Sequence, residues 1–304
     1  MAIDDDTGFT VTEDDVLAYE YDGVVCLREV FDADWVERMR GAVDQVLDNP
    51  GPLRQQFRSD EPGEFISDKF MWTFNEDFRR YVFNSPAAAA AAALMRSVRA
   101  NIFFDQILVK EPGAAAPSPW HQDVSYWPFS GRQVSSVWMP LDRVDKENGT
   151  LEFVRGSHLL KERPFSRDLV FGKDKNQPRD SHDQSLPETD DPERLPDIEA
   201  DRDKWEIVSW VLNPGDAVVF TGLTLHGAPG NHSERRRRVI STRWMGDDIR
   251  YRRKRREATL LRDPGLAPGD RMDCSLFPVV LPRQGGGVAV AAECGPERTE
   301  RRFF

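Results

Sequence analysis

Trp120-His121-Gln122-Asp123 sets an imidazole and a carboxylate two residues apart, after the turn-rich run from Glu111-Pro112-Gly113 to Pro117-Ser118-Pro119. Side chains two apart on a strand leave from the same face. A strand through this stretch therefore presents His121 and Asp123 side by side, with Gln122 turned away. Such a pair is two-thirds of a facial metal site. Two His and one carboxylate with open coordination positions is the donor set of non-haem Fe(II) oxygenases. His226, in Thr224-Leu225-His226-Gly227, is the first candidate for the third donor. Only five His exist, so the competitors are few. His158 ends a predicted strand and stays open as a ligand. His182 falls in a polar insertion and His232 in a charged turn, and both are poor donors. A structural role in the core is the alternative for His226.

A second piece of chemistry lies 11 residues beyond His226. Arg235 to Arg238 reads as a solvated turn, yet Val239, Ile240 and Trp244 mark the next strand as buried. At least one arginine is drawn inward with it, and Arg237 opens that strand. A buried guanidinium needs an acidic partner, and its planar fork suits a carboxylate. Either an internal Asp or Glu supplies that partner, or a co-substrate does.

The elements that must position these groups read as helices first and a β core afterwards. Thr12-Glu13-Asp14-Asp15 starts a short helix, with Thr12 as N-cap and acids at the positive end of the dipole. Gly23 to Leu27 reads as a strand. Asp32 to Leu47 carries apolar residues at three- and four-residue intervals, the pattern of a helix, and Asn49-Pro50-Gly51-Pro52 ends it. Residues 53–83 have no clean period and are rich in aromatics, from Phe57 to Phe83. They form either a cap over the core or one wall of an apolar substrate pocket. Pro86 to Arg96 is a further helix. Then come short β-rich segments: 102–110, 121–126, 134–141, 150–154, 206–212, 217–220 and 237–245. Turn residues separate them, as in a sandwich or barrel. Residues 161–205 interrupt this core as a polar insertion, either a surface excursion or a lid. Arg250 to Arg256 is a basic run, read first as a solvated face and second as a receptor for an anionic group. The expected organisation is one domain over 1–304: a helical part at about 10–100, a β core at about 101–250 and a C-terminal extension at 251–304.

The 304 residues carry a net charge of -11. That argues against nucleic acid as the main partner, since phosphate binding needs a net basic face. Eighteen Phe and 8 Trp allow a large core despite 31% charged residues. Cys26, Cys274 and Cys294 form neither a disulfide framework nor a metal cluster. The acidic start from Met1 to Asp6 has no signal-like apolar run, and no segment is long and apolar enough to span a membrane. The expectation is a cytoplasmic protein with reduced thiols and a small-molecule substrate.

Trp120-His121-Gln122-Asp123, Glu147-Asn148-Gly149-Thr150-Leu151, Arg155-Gly156-Ser157-His158, Pro214-Gly215-Asp216 and His226-Gly227 together resemble the phytanoyl-CoA dioxygenase family of Fe(II)/2-oxoglutarate oxygenases. The likeness covers roughly residues 10–250. It implies a mostly β fold with flanking helices: a double-stranded β-helix, or jelly roll, of cupin-like type. It implies His121, Asp123 and His226 as iron ligands, with 2-oxoglutarate and O2 as co-substrates and succinate and CO2 as products. It implies Arg237 as the grip on the distal carboxylate of 2-oxoglutarate, with Trp138 and Gln106 lining that pocket. It places His158 in a turn, away from the metal. Related halogenases carry a small residue where Asp123 stands, so the carboxylate points to hydroxylation of a C–H bond. Phe70, Trp72, Tyr126, Trp127 and Trp244 are the expected substrate contacts. The competing readings are a redox-neutral metal enzyme of cupin type and a binding protein that keeps the fold without the chemistry.

Overall fold

The computed structural model describes residues 9–58, 63–160, 181–182, 195–253, 256–257 and 260–283. Most of the 161–205 insertion, Lys254 and Arg255 of the basic run, and the chain after Arg283 lie outside the described residues.

Four helices come first: α1 (Glu13–Asp22), α2 (Ala33–Asp48), α3 (Glu76–Asn84) and α4 (Ala87–Leu94). The first three starts are capped by a side chain. Thr12 and Asp15 exchange hydrogen bonds in a capping box at α1. Asp32 caps α2 through the Trp35 amide, and Asn75 caps α3 through the Asp77 and Phe78 amides. Helix α3 and the hairpin before it were not legible as elements within 53–83. Phe78, Tyr81 and Val82, three and four apart, form the buried face of α3, but neighbouring aromatics that serve other elements blur that spacing.

The strands are β1 (Val24–Leu27), β2 (Gln55–Arg58), β3 (Glu64–Lys69), β4 (Ala100–Lys110), β5 (Ser118–His121), β6 (Phe129–Ser130), β7 (Val134–Pro140) and β8 (Glu152–Val154). They continue as β9 (Ser181–His182), β10 (Ile207–Val208), β11 (Ala217–Thr221), β12 (His226–Ala228), β13 (Arg237–Met245), β14 (Arg250–Tyr251), β15 (Arg256–Glu257) and β16 (Val279–Leu281). The large sheet runs β1-β11-β7-β13-β4-β3-β2, with β16 also on β4; the small sheet runs β10-β8-β12-β5. All recorded pairings in both are antiparallel. The two sheets face each other through Phe153 of β8 and Phe220 of β11, whose rings lie 5.0 Å apart. This is the jelly roll, with an open sheet edge.

The large sheet has two buried faces. Val137, Met139, Val219, Ile240 and Trp244 pack against the helices. The opposite face, with Trp138, Val218, Phe220 and Val239, packs on the small sheet. A third apolar cluster, built from Phe70, Phe103, Phe104, Trp127 and Phe129, closes one end. Because strand side chains alternate, the residue's parity decides which face it serves.

Two expectations need correction. The segment 121–126 is not a strand: β5 ends at His121, and Asp123–Tyr126 is a turn of 3₁₀ helix. Residues 206–212 hold only the two-residue β10 and an isolated bridge from Leu212 to Val144. The basic run also has backbone partners. Arg250 and Tyr251 pair with β6, and Arg256 and Glu257 pair with β9 from within the insertion.

Candidate active site

His121 and His226 are direct cross-strand partners on β5 and β12. Pairing of that kind brings side chains on one face to about 5 Å, and the two imidazole rings lie 4.2 Å apart. Asp123 arrives differently from the expected strand geometry. The chain turns after Gln122, whose amide donates to the Leu223 carbonyl at 2.5 Å, and the 3₁₀ turn swings Asp123 back beside both rings. Its Oδ1 lies 3.4 Å from His121 Nε2 and 3.9 Å from His226 Nε2. One nitrogen from each ring and one carboxylate oxygen all fall within 4.8 Å of one another. Metal–ligand bonds near 2.1 Å place neighbouring donors at about 3 Å, so small adjustments close the set on one cation.

The protonation pattern suits a metal. His121 Nδ1 lies 2.7 Å from the Pro119 carbonyl, and His226 Nδ1 lies 2.9 Å from the Thr224 carbonyl. A carbonyl only accepts, so each Nδ1 carries the proton and each Nε2 turns a lone pair toward Asp123. Burial, with the neighbouring His121, pushes the His226 imidazolium down to about 3, which keeps the ring neutral. Burial alone would raise the Asp123 carboxyl; its contacts with His121, His226 and Arg243 outweigh that and hold it below the usual carboxylate range. Ser136 donates to Asp123 Oδ2 at 3.1 Å, which leaves Oδ1 for the metal side. Ser136 could have been anticipated from its place on the buried strand β7, two residues before Trp138.

A chain of contacts fixes His226 from behind. Gly23 ends α1 in the left-handed conformation, at φ 76°. The Gly23 carbonyl accepts from the Thr224 hydroxyl at 2.7 Å and from the Thr221 amide at 3.0 Å. A Cβ on Gly23 would collide with Thr224 Oγ1 and with His158 Nδ1. His158 is committed to this support: its Nε2 lies 3.0 Å from the Glu20 carbonyl. It sits in the turn after β8, away from the triad.

Arg237 is buried, with 1% of its surface exposed. Nη1 donates to the Gly149 carbonyl at 2.6 Å, Nε has no partner, and the guanidinium lies 5.7 Å from the Trp138 ring. Among the described residues no carboxylate pairs with it. Burial pushes its guanidinium down to about 9. Its cross-strand partner Lys110 is also buried, with Nζ donating to the Pro229 carbonyl at 2.5 Å. Burial and then the Arg237 charge drive that amine well below its ordinary range. Trp138 and Gln106 both pair with Ser241 in register, on the face that holds Arg237. Gln106 donates from Nε2 to Ser67 Oγ at 2.7 Å.

The expected substrate contacts divide by face. Phe70 and Trp127 lie in the end cluster, with ring centroids 5.7 and 6.0 Å from that of Phe104. Trp72 and Trp244 belong to the helix-side core; Trp72 packs on Phe83, and Trp244 Nε1 donates to Thr242. The structure does not bring those two to the triad. The Tyr126 side chain lies outside the described residues. Trp120, next to His121, donates to Glu199 Oε1 at 2.5 Å and packs with Ile198 at the end of the insertion. Arg202 binds Glu152 of β8 through two nitrogens, at 3.0 and 2.8 Å, and clips the same segment down.

The described residues contain no helix long and apolar enough to cross a membrane. Comparison with solved structures gives the same architecture. The non-haem alpha-ketoglutarate-dependent carbocyclase SnoK of nogalamycin biosynthesis superposes with a TM-score of 0.68 at 23% identity, over 88% of this chain and 96% of SnoK. The epimerase SnoN, in complex with Fe3+, alpha-ketoglutarate and a nogalamycin compound, gives 0.69 at 24%, over 88% and 98%. EctD from S. alaskensis, with 2-oxoglutarate and 5-hydroxyectoine, gives 0.61 at 17%, over 82% and 86%. In sequence, a probable phytanoyl-CoA dioxygenase of Caenorhabditis elegans is 26% identical over 135 residues, which are 43% of this chain and 37% of that protein's length. The family model for phytanoyl-CoA dioxygenase matches residues 19–239, a span that holds the triad, Arg237 and the whole small sheet, and the chain belongs to that family.

Proposed function

We propose that the protein is an Fe(II)- and 2-oxoglutarate-dependent dioxygenase that hydroxylates a C–H bond of a small organic substrate. The balance is one substrate, one 2-oxoglutarate and one O2 in, and one alcohol, one succinate and one CO2 out. His121, Asp123 and His226 would hold the metal, and iron with both co-substrates bound supplies the oxidising chemistry. This chain's own residues do the rest. The Pro119 and Thr224 carbonyls keep both imidazoles in the ligating tautomer. Ser136 orients Asp123. Arg237, over Trp138, receives the distal carboxylate of 2-oxoglutarate.

The observation that carries this reading is Arg237: a guanidinium sealed inside the β core with an orphan Nε and no acid partner among the described residues. A redox-neutral metal enzyme has no use for it, and a bare binding protein would carry its cost for nothing. Truncating one partner of a buried charged pair costs about 2–5 kcal/mol, so Arg237→Ala should weaken 2-oxoglutarate by roughly 30-fold or more. The readout is the visible charge-transfer band of anaerobic Fe(II) plus 2-oxoglutarate, together with succinate release in a substrate screen. Metal-dependent turnover that ignores 2-oxoglutarate in wild type and variant alike would overturn the proposal. A product 16 mass units heavier than its substrate separates hydroxylation from ring closure or epimerisation.

A further inference from the structure

A second buried arginine occupies the same strand face. Arg237, Val239, Ser241 and Arg243 alternate along β13 toward the small sheet, and Arg243 keeps only 6% of its surface exposed. It pairs in register with Ser136 on one side and Phe104 on the other. Ser136 holds Asp123, so Arg243 leaves the sheet level with the metal carboxylate. Its guanidinium lies 4.9 Å from the Phe104 ring centre, and Lys69 Nζ lies 5.6 Å from the same ring. Phe70 and Trp127 flank Phe104.

Among the described residues Arg243 makes one hydrogen bond, from Nη1 to the carbonyl of Ser241 at 2.8 Å, and its Nε has no partner. Asp123 and Asp105 act on it electrostatically, but no carboxylate of the described residues forms an ion pair with it. Burying a guanidinium this way is costly, and it is retained usefully only if something arrives to pair with it. 2-Oxoglutarate is the wrong size to serve both arginines. Six residues of strand separate their backbones by about 20 Å, whereas a five-carbon dicarboxylate spans about 7 Å at C–C bonds near 1.5 Å.

We propose that Arg243, stacked on Phe104, is the anion-binding residue of the substrate side, so that the molecule oxidised carries a carboxylate or an equivalent oxyanion beside an apolar body. The planar fork suits bidentate capture, and Phe70, Phe104 and Trp127 supply apolar walls. The triad then lies between two anion sites, Arg237 for the co-substrate and Arg243 for the substrate. This rests on the dioxygenase reading for what is oxidised, but not for the binding of the anion.

The test uses the full chain with Fe(II) and 2-oxoglutarate under anaerobic conditions. Three probes are titrated by calorimetry and thermal shift: 3-phenylpropionate, phenyl phosphate and the neutral 3-phenylpropanamide. Wild type should bind one or both anions at least about tenfold more tightly than the amide, the value of a charge-assisted hydrogen bond. Arg243→Met should lose that preference, and Arg243→Lys, which keeps the charge but not the fork, should keep part of it. Without ligand, Arg243→Met should melt at or above the wild-type temperature, because an uncompensated charge has been removed; a purely structural arginine would give the opposite. Its charge-transfer band with 2-oxoglutarate should titrate within about twofold of wild type. The proposal falls if anions and amide bind alike, if Arg243→Met changes nothing, or if that variant weakens 2-oxoglutarate instead. Should Arg243→Met not fold, the Lys variant carries the comparison, and undiminished anion preference there overturns bidentate capture. Which anion binds better separates carboxylate from phosphate. A wild type without the band removes the dioxygenase reading while the anion titration still decides this one.

Discussion

The two oxygens of Asp123 are used differently. Oδ2 takes the Ser136 hydroxyl, and Oδ1 faces both histidines at 3.4 and 3.9 Å. Removing the carboxylate leaves two neutral imidazoles to hold a cation whose affinity depends on charged oxygen. Asp123→Ala should therefore weaken Fe(II) binding and lose 2-oxoglutarate-dependent turnover, measured by metal content after dialysis and by succinate release; retained turnover would mean the metal lies elsewhere. The candidate ligands are legible because His-x-Asp and His-Gly sit among other family motifs. Arg243 was legible in principle too, since its parity on β13 matches that of Arg237. Its lack of an acid partner among the described residues is not legible, because the residues beside it, Ser136 and Phe104, come from strands far away in the chain. Trp244 shows the converse error. Adjacent to Arg243, it was expected at the substrate, and alternation sends it to the helices.

At the level of elements, α1 does more than cover the sheet. Its last carbonyls and its Gly23 cap hold the loop 221–226 and the His158 turn in one arrangement. Gly23→Ala forces a β-carbon into the left-handed region, at about 1–2 kcal/mol, and into Thr224 and His158 as well. A loss of at least about 2 kcal/mol is expected by denaturant unfolding, with weaker Fe(II) affinity as His226 loses its anchor. Gly41→Ala is the control: the site lies inside α2 with open space around it and should gain about 0.5–1 kcal/mol. A metal affinity equal to wild type in Gly23→Ala would refute the coupling. The helix itself was readable from Thr12 and the acids after it. Its link to the site was not, because the contacts join residues some 200 positions apart, and no local pattern encodes such a pairing.

Across the whole molecule, an acidic chain encloses a basic interior. Arg237, Lys110 and Arg243 all lie on the inner face of the large sheet, while the formal charge is -11. The opposite, helix-facing side hides an acid. Burial raises the carboxyl of Asp105 from 3.8 to about 7, although the Trp72 amide donates to it. The folded protein thus holds a proton there that the unfolded chain has released. Stability from this group is complete below pH 3.8 and is lost as pH rises to about 7. The full effect is up to about 4 kcal/mol at 1.36 kcal/mol per unit. The wild type minus Asp105→Asn difference in unfolding free energy should fall across that window; a flat difference would show that Asp105 ionises freely. The overall helices-then-jelly-roll order was visible in the alternating texture of the chain. The turn after β5 was not, since 121–126 alternates well enough to pass for a strand until Asp123 must swing toward two rings at once.

The register of β5 against β12 has a kinetic meaning. His121 and His226 come from opposite ends of the β core and meet only when the small sheet has closed between them. A slip of one residue in either strand would turn that strand's ring to the other face. With His121 and His226 as its ligands, a cation would not gather them early and organise the chain around itself, as structural zinc does in a small finger. It would enter only a site that long-range strand pairing has already finished, which would make metal capture a late event in the life of each newly made molecule.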